Sequence, residues 1–281
     1  MKFWKYEGIG NDFIIINNNG SDAKVDNNLC KKMCNRNFGV GADGVLYISS
    51  GGKDSQLTMR IINADGSEAE MCGNGIRCAA KFAHDFGLVN GTKFVIKTLK
   101  GNLGVEVFLE NGITKTVRVD MGAPILECTK IPVDFKGQMI AQELEIDGSR
   151  ITGTAVSMGN PHFVTFDNLS DDVIEKLGPV LESYYIFPKK TNVEFAKVSN
   201  GKLYVRVYER GVAWTLACGT GACAATVAAA INGLVPFNVP IDVHLPGGWL
   251  KVTVNENFES VVMEGPASYV YTGEYNTEGN V

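Results

Sequence analysis

The chain has no cluster of basic residues and only three histidines among its 281 residues. Lysine and arginine never occur more than two in a row, and the formal net charge is −5 with a pI of about 5.3. Nucleic acids and acidic membrane surfaces bind concentrated basic faces. The composition therefore predicts a protein with neither nucleic acid nor a membrane as its partner.

Long apolar stretches are missing as well. No segment reaches the roughly 18 consecutive apolar residues of a membrane-spanning helix, and the start MKFWKYEGIGNDF lacks the apolar core of a signal peptide. We therefore expect a cytoplasmic protein. Its hydrophobic content of 45% is sufficient to fill the cores of two domains.

The sequence also lacks a plausible metal site. Cys30 and Cys34 can share a helix face, but no second pair at zinc spacing complements them, so we predict no metal. Seven cysteines cannot all pair, and a chain of this size needs no disulfides. We interpret them as reduced, with Cys30, Cys34 and Cys128 as structural residues. The histidines are scattered at positions 84, 162 and 244.

Two Gly-rich turns dominate what the sequence does contain. MCGNGIRC carries Cys72, ACGTGAC carries Cys218, and each turn leads into a predicted helix. A helix N-terminus presents N–H groups and a positive dipole end, which favour a thiolate and attract a carboxylate. Each turn alone is also compatible with an ordinary N-cap bearing a buried cysteine. The duplication favours two thiols that act on one small anion.

The order of predicted elements repeats around the two turns. Asn-Gly pairs at 111–112 and 200–201 predict tight hairpins. The first half has predicted strands at 2–6, 13–17, 44–49 and 57–63, a helix at 74–86, and strands at 93–98, 103–109 and 115–120. The second half has strands at 153–158, 162–166, 192–198 and 202–208, a helix at 220–232, and strands at 240–245, 249–254 and 259–264.

The two predicted helices are apolar on nearly all sides and must therefore be enclosed. The simplest enclosure is a mostly antiparallel sheet curled around each helix. We predict an α+β fold of two pseudo-symmetric domains, with the active site in the cleft between them.

Several strand ends carry an amide or a charge. Taken singly, such residues usually cap their own turns. Together with two thiols they form a set suited to binding an amino acid. The segments are GIGNDF at residue 8, INADGS at 62, MGNPH at 158, TNVE at 191 and YERG at 208.

These segments resemble the diaminopimelate epimerase family. The shared patterns are GxGNDF, NADGSExExCGNGxRC, GNPH, TNVEF, ERG and TLACGTGACA, in the family's order over residues 8–223. The resemblance implies an isomerase that needs no pyridoxal or other cofactor. One cysteine, as thiolate, removes the α-proton, and the other, as thiol, delivers a proton to the opposite face. By the same resemblance, the reaction interconverts L,L- and meso-diaminopimelate, in lysine and peptidoglycan precursor synthesis.

The resemblance also assigns residues. Cys72 and Cys218 form the acid/base pair, and the N–H groups near both turns hold the α-carboxylate. Arg210 suits the distal carboxylate, while Glu209 and the amides receive the ammonium group. His162, with Glu209, helps to set the protonation of the thiols. The implied substrate contacts are Asn11, Asn63, Gly73, Asn74, Asn160, Asn192, Glu209, Arg210, Gly219 and Thr220.

Two positions depart from the family pattern. Some members have Gln where this chain has Gly44, so a polar contact is missing here. After ERG the family usually reads x-G-x-T, whereas this chain reads VAWT from residue 212, which places a bulky ring a few residues before Cys218. Trp214 is interpreted either as a packing residue at the domain boundary or as part of a reshaped pocket rim. The second interpretation keeps a racemase of another amino acid, such as histidine, as an alternative.

Two other classes of function stay open at this point. A cysteine hydrolase or acyltransferase needs one thiol with a fixed histidine, for which only His162 lies in a motif, and a binding protein needs neither thiol. We place the domain boundaries at 1–118, rejoined by 265–281, and at 119–264. A homodimer follows only from the family analogy.

Overall fold

The computed structural model describes residues 1–19, 26–146 and 148–277. Four helices form within these residues: α1 (Asn27–Cys34), α2 (Gly73–Asp85), α3 (Asp171–Glu182) and α4 (Gly219–Ile231). The strands are β1 (Lys2–Gly8), β2 (Asn11–Asn17), β3 (Gly44–Ser50), β4 (Leu57–Asn63), β5 (Glu68–Ala69), β6 (Lys93–Thr98), β7 (Gly101–Glu110), β8 (Ile113–Asp120), β9 (Gln142–Ile146), β10 (Ser149–Ser157), β11 (Pro161–Thr165), β12 (Asn192–Ser199), β13 (Lys202–Glu209), β14 (Ala213–Thr215), β15 (Ile241–Leu245), β16 (Gly248–Val254), β17 (Val261–Pro266) and β18 (Ser268–Glu274).

The chain divides into two compact units. The first consists of Met1–Val119 with the described part of Glu264–Val281, and the second is Asp120–Met263. The last four residues of the predicted segment 265–281 lie outside the described residues. In the described residues, no helix is long and apolar enough to cross a membrane.

In the first unit, the sheet is mixed. β18 pairs antiparallel with β1 and β1 with β2, whereas β2 and β3 are parallel. β3 and β4 are antiparallel, β4 and β6 parallel, and β6, β7 and β8 antiparallel. The short strand β5 adds to β4. Helix α2 packs against β1, β2, β3, β4 and β7, and all its residues from 73 to 83 are buried.

The second unit repeats this pairing scheme. β9, β10 and β11 are antiparallel, β11 and β12 parallel, β12 and β13 antiparallel, and β13 and β15 parallel. β15 pairs antiparallel with β16, and the short β14 adds to β13 as β5 adds to β4. Helix α4 packs against the corresponding strands, β10 to β13 with β15 and β16. The predicted α+β class and the internal repeat are therefore confirmed.

Local sequence explains the hairpins. Asn111 and Gly112 both have positive φ, at 52° and 80°, and Asn200 and Gly201 have 51° and 71°. Two successive positive φ angles define the type I′ turn that joins twisted antiparallel strands, and Asn-Gly adopts it readily. Both predicted hairpins form, between β7 and β8 and between β12 and β13.

The structural cysteines lie where the sequence predicts, in the cores. Cys30 and Cys34 on α1 are buried in a cluster with residues of β1, β2 and β3, and Cys128 is buried in the core of the second unit. Burial raises the pKa of the Cys34 thiol to about 12, so this residue stays protonated and unreactive at neutral pH.

Candidate active site

Cys72 is the N-cap of α2. Its backbone is extended, with φ −137° and ψ 122°, and the N–H of Gly75 donates to its sulfur at 3.4 Å. The N–H of Ile76 donates to the carbonyl of Cys72 at 2.9 Å, which starts the helix. The helix N-terminus therefore holds the sulfur at its positive end, where negative charge is stabilised.

Cys218 caps α4 in the same way. Its φ and ψ are −125° and 106°, the N–H of Gly221 donates to Sγ at 3.3 Å, and the N–H of Ala222 donates to the Cys218 carbonyl at 2.9 Å. The two predicted turns thus have nearly the same backbone geometry. Their side-chain surroundings differ.

An amide oxygen faces the sulfur of Cys72. Sγ lies 3.6 Å from Oδ1 of Asn11, which also accepts from Nδ2 of Asn74 at 3.2 Å. Nδ2 of Asn11 donates to Oδ2 of Asp43 at 2.6 Å. A carboxylate oxygen can only accept, so Asp43 fixes the orientation of the Asn11 amide. The atom presented to Cys72 is then an acceptor, which favours the thiol.

An ionic group supports this arrangement. Arg36 bridges Asp12 and Asp43 at 2.7 and 2.8 Å, and Lys5 contacts Asp12 at 2.5 Å. Burial raises the pKa of Asp12, but hydrogen bonds and charge from Arg36 and Lys5 outweigh burial and lower it to about 2. Both aspartates are adjacent to residues of the candidate site, and Asp43 has a direct role in orienting Asn11.

A hydroxyl, not an amide, lies beside the sulfur of Cys218. Oγ1 of Thr220 is 3.5 Å from Sγ, and Nδ2 of Asn160 donates to that hydroxyl at 3.3 Å. Oδ1 of Asn160 is 3.0 Å from Nε2 of His162, and Nδ1 of His162 is 2.7 Å from Oε1 of Glu194. Three of the predicted site residues are therefore joined in one hydrogen-bonded chain to Cys218.

Burial and acidic neighbours act on Cys218. Burial, followed by the charges of Glu209 and Glu194, raises its pKa well above the ordinary thiol value, while hydrogen bonds from Thr220 and the Gly221 N–H oppose that rise. Since a high thiol pKa makes the thiolate scarce but more basic, such a group can remove a weakly acidic proton once it is ionised.

Both polar atoms of the Asn192 side-chain amide form hydrogen bonds to the backbone. Nδ2 donates to the Pro161 carbonyl at 2.7 Å, and Oδ1 accepts from the N–H of Arg210 at 2.9 Å. It therefore holds the turn containing Glu209 and Arg210 next to β11. The Arg210 side chain is exposed, with Nη1 donating to the Lys189 carbonyl at 3.3 Å.

Asn63 also makes a local contact. Its Nδ2 donates to the hydroxyl of Ser67 at 3.0 Å, and its backbone N–H donates to the Ser67 carbonyl at 2.8 Å. Gly66, with φ 82°, closes this turn. The turn-capping interpretation therefore describes Asn63 in this structure, and a substrate contact by Asn63 stays a prediction.

The two departures from the family pattern have structural explanations. A Cβ on Gly44 would stand 2.9 Å from the carbonyl oxygen of Ile62, so β3 approaches β4 too closely for a side chain here. Trp214 packs within the second unit, on Phe195 and Tyr208, with the Arg206 guanidinium over its ring at 4.6 Å. These contacts support packing as the role of Trp214.

Glu194 and Asp43 contact predicted site residues, although the sequence analysis gave neither of them a role. Glu194 lies in the segment TNVE, in which only Asn192 was assigned a role, and Asp43 lies in none of the segments that carry the resemblance. The available signal was a carboxylate inside the apolar strand NVEF and another next to GADG. In the described part of the chain, no cluster of three His, Cys, Asp or Glu side chains is arranged to hold a metal.

Comparison with known proteins identifies the family. The diaminopimelate epimerase family profile matches residues 3–127 and 154–270. A curated diaminopimelate epimerase from Leptospira biflexa is 44% identical over 280 residues, covering 98% of each chain. That of Carboxydothermus hydrogenoformans is 46% identical over 281 residues, covering 98% of this chain and 99% of its own.

A solved structure shares the fold at much lower identity. A probable proline racemase from Agrobacterium radiobacter is 12% identical, with a TM-score of 0.72, and the match covers 99% of this chain and 93% of that one. At this identity the likeness concerns the fold alone. The profile match and the two curated relatives show that the chain belongs to the diaminopimelate epimerase family of isomerases.

Proposed function

We propose that the protein interconverts L,L- and meso-diaminopimelate, with Cys72 and Cys218 exchanging protons at opposite faces of one α-carbon and no cofactor taking part. The observation that carries the proposal is the duplicated cap. Two cysteines stand at the N-termini of two buried helices with matching backbone angles and matching N–H···S contacts. A reaction with one acid and one base has a use for both.

Electrostatics must supply what a pyridoxal cofactor would otherwise provide. An α-hydrogen is weakly acidic, and negative charge grows on the carbon and the carboxylate as the proton leaves. The first N–H groups of a helix have no acceptor within the helix and point outward. We assign those near Gly73, Asn74, Gly219 and Thr220 to the α-carboxylate, where they stabilise the developing charge.

The protonation states follow from the neighbours of each sulfur. Asn11 presents an acceptor to Cys72, which suits a thiol that delivers a proton. Thr220 can donate to Cys218, which suits a thiolate that removes one. The reverse reaction exchanges the roles, so each contact must also tolerate the other state.

The far end of the substrate carries a second carboxylate and an ammonium group. Arg210 is exposed and able to offer two parallel N–H groups, and Glu209 on the same turn offers negative charge. Asn192 holds this turn by accepting a hydrogen bond from the Arg210 N–H, so it positions Glu209 and Arg210 for substrate recognition. Asn63 and Asn160 complete the proposed contacts, and His162 tunes Cys218 through Asn160.

Deuterium uptake tests the proposal directly. Reduced protein is incubated in D₂O with L,L-diaminopimelate, and in parallel with other amino acids including histidine, and the products are analysed by mass spectrometry and chiral separation. We expect one deuterium per meso product formed. Uptake into histidine alone would assign the scaffold to another racemase, and no uptake into any substrate would return attention to a hydrolase or binding function.

The proposed setting is a cytoplasmic homodimer in lysine and peptidoglycan precursor synthesis. This part rests on the family alone. Light scattering on the purified protein tests the assembly, and fractionation of the source cells tests the location. A monomer that carries full epimerase activity would remove the dimer from the proposal without touching the chemistry.

A further inference from the structure

Glu194 is a fully buried carboxyl group with an unusual position. It lies on β12 with no exposed side-chain surface, and its Oε1 is 2.7 Å from Nδ1 of His162. A Cβ on Gly221 would stand 2.8 Å from the same oxygen and 3.2 Å from Sγ of Cys218. Glycine at this position in the first turn of α4 therefore lets the carboxyl group approach the catalytic helix end.

Among the described residues, Oε2 of Glu194 has no hydrogen-bond partner. A buried carboxylate with one unsatisfied oxygen is costly unless a positive charge or a proton compensates it. His162 is the group in contact with it. The pair therefore has a physical reason to retain one proton, whichever of its two members carries the proton.

The donors and acceptors available on each side chain determine the direction of the hydrogen bonds between His162 and Cys218. If the pair holds that proton, Nε2 of His162 carries an N–H and donates to Oδ1 of Asn160. The amide of Asn160 then points Nδ2 at Thr220, whose oxygen accepts. The Thr220 hydrogen is left to donate to Sγ of Cys218, 3.5 Å away.

We propose that Glu194 is a positioning residue. Through His162, Asn160 and Thr220, it orients this series of hydrogen bonds so that the last of them, from the Thr220 hydroxyl, is donated to the sulfur of Cys218. The proposal deepens the proposed function and rests on Cys218 acting as a base. Glu194 touches no substrate in it. It acts by keeping the proton of the pair next to His162, so that Nε2 is always a donor.

Loss of the proton reverses every link. Nε2 of His162 becomes an acceptor, the Asn160 amide turns to donate to it, and Thr220 then donates to the amide oxygen. The Thr220 oxygen is left to accept from the S–H of Cys218. The same atoms thus stabilise a thiolate in one direction and a thiol in the other.

Simple charge effects predict the opposite outcome when Glu194 is neutralised. The charges acting on Cys218 include those of Glu209 and Glu194, and both raise its pKa. Burial and Glu209 also raise the pKa of Glu194, against the effect of His162. Removing a nearby negative charge lowers a thiol pKa, whereas loss of the directed donor raises it.

The decisive measurement is the pKa of Cys218 in the native protein and in Glu194→Gln. It is read from the ultraviolet absorbance of the thiolate, as the difference between each protein and its Cys218→Ser counterpart. The introduced amide can donate or accept, so it no longer enforces a proton on Nε2. We expect a higher Cys218 pKa and a kcat reduced about tenfold to a hundredfold with KM little changed. A lower or unchanged pKa overturns the proposal.

Two further variants keep the test valid if Glu194→Gln folds poorly. Thr220→Val removes the last donor and Thr220→Ser restores it, so we expect a higher Cys218 pKa in the first and a native pKa in the second. Asp167→Asn makes the same carboxyl-to-amide change in the second unit, where Asp167 contacts Thr152 and Thr165, and should leave both readouts unchanged. A raised pKa in Asp167→Asn equal to that in Glu194→Gln would assign the effect to general destabilisation.

The double variant Glu194→Gln/Thr220→Val tests whether the residues act in one chain. Residues in one network give non-additive effects, so the double variant should be no more impaired than Thr220→Val alone. Full additivity overturns the proposal. ¹⁵N spectra of the native protein, with His162 assigned through His162→Asn, should show a protonated Nε2 at neutral pH, and a bare Nε2 also overturns it.

These readouts separate two kinds of failure. The absorbance and nitrogen measurements need no substrate, so they stand or fall independently of the reaction. If diaminopimelate takes up no deuterium but the Cys218 pKa rises in Glu194→Gln, the proposed function fails and the directed chain survives. If deuterium is taken up and the pKa falls, the reverse holds.

Discussion

The turns of Cys72 and Cys218 have nearly the same backbone geometry but different chemical environments. Their φ angles differ by little, −137° and −125°, and their N–H···S distances are 3.4 and 3.3 Å. Beside Cys72, however, lies an amide oxygen whose orientation is fixed by the contact of Asn11 with Asp43, whereas beside Cys218 lies a rotatable hydroxyl at the end of a buried hydrogen-bonded chain. A duplicated turn can therefore hold two thiols in the same backbone geometry while the neighbouring side chains present an acceptor to one and a hydroxyl to the other.

The helices behind the turns differ in the same sense. α2 buries Arg77, whose Nη1 donates to the Gly73 carbonyl at 3.0 Å, and Lys81, which contacts Asp85 at 2.8 Å. α4 is rich in alanine, and its one buried hydroxyl, Thr226, donates to the Ala222 carbonyl at 2.8 Å. The first unit thus places positively charged side chains along α2, and the second places carboxyl groups near the N-terminal end of α4.

Replacing either of the two proposed acid/base thiols by alanine should have the largest effect. We expect Cys72→Ala and Cys218→Ala each to lose about 10²- to 10⁴-fold of the epimerisation rate, the range typical of a general acid or base. Chiral analysis of the product checks this. Residual α-hydrogen exchange by the remaining thiol should occur with only one isomer, L,L for one variant and meso for the other. Substantial epimerisation by either variant would exclude the two-base mechanism.

The glycines at the third helical position give the next largest contrast. A Cβ on Gly221 meets Oε1 of Glu194 at 2.8 Å, whereas a Cβ on Gly75 meets only Cδ2 of Leu46 at 3.3 Å and softer contacts beyond. We expect Gly221→Ala to lower kcat at least about tenfold by displacing a buried carboxyl group. Gly75→Ala should change the free energy of unfolding by less than about 1 kcal/mol, since improved helix propensity offsets the crowding. Equal losses of kcat in the two variants would show that the turns are equivalent.

The sequence was sufficient to predict most of the fold because its signals are local. β4 and β6 match their predicted ranges, 57–63 and 93–98, and both Asn-Gly hairpins form. The prediction missed α1, α3, β5, β9 and β14. α3 contains Gly178 and Pro179, both unfavourable in helices, and it forms because its apolar face packs on the second core, where Tyr208 and Trp214 lie against Gly178.

The candidate site was predictable in its cysteines and not in its supporting side chains. The Gly-rich turn identifies Cys72 and Cys218, because cap geometry depends on neighbours along the chain. The contacts of Glu194 with His162 and of Asp43 with Asn11 join residues 32 apart in both cases. Pairings at that separation depend on strand register, and register places each carboxyl group next to its partner only after the sheet has formed.

Asp43→Asn should sharpen the comparison from the side of Cys72. An amide at position 43 can donate as well as accept, so the Asn11 amide is free to turn and present Nδ2 to Cys72. A donor facing the sulfur lowers a thiol pKa. We expect a lower Cys72 pKa, from the thiolate absorbance against a Cys72→Ser reference, and a kcat reduced about tenfold. A reduced kcat with an unchanged Cys72 pKa would limit Asp43 to a structural role.

A last contrast concerns stability. It distinguishes the ion pairs that support the first turn from the buried hydrogen-bonded chain that supports the second. The pKa of Asp12 is lowered to about 2 by Arg36 and Lys5, against the effect of burial. A depressed carboxyl pKa contributes stability that is present above the unfolded value of about 3.9 and is lost as the pH falls toward 2. Asp12→Asn should therefore lower the free energy of unfolding at pH 7 by about 1–2 kcal/mol, less than the full linkage value because the Arg36 side chain is 59% exposed. Denaturant titrations of both proteins should converge as the pH falls from 5 toward 2, and a difference that stays constant over that range would contradict an ionic role for Asp12.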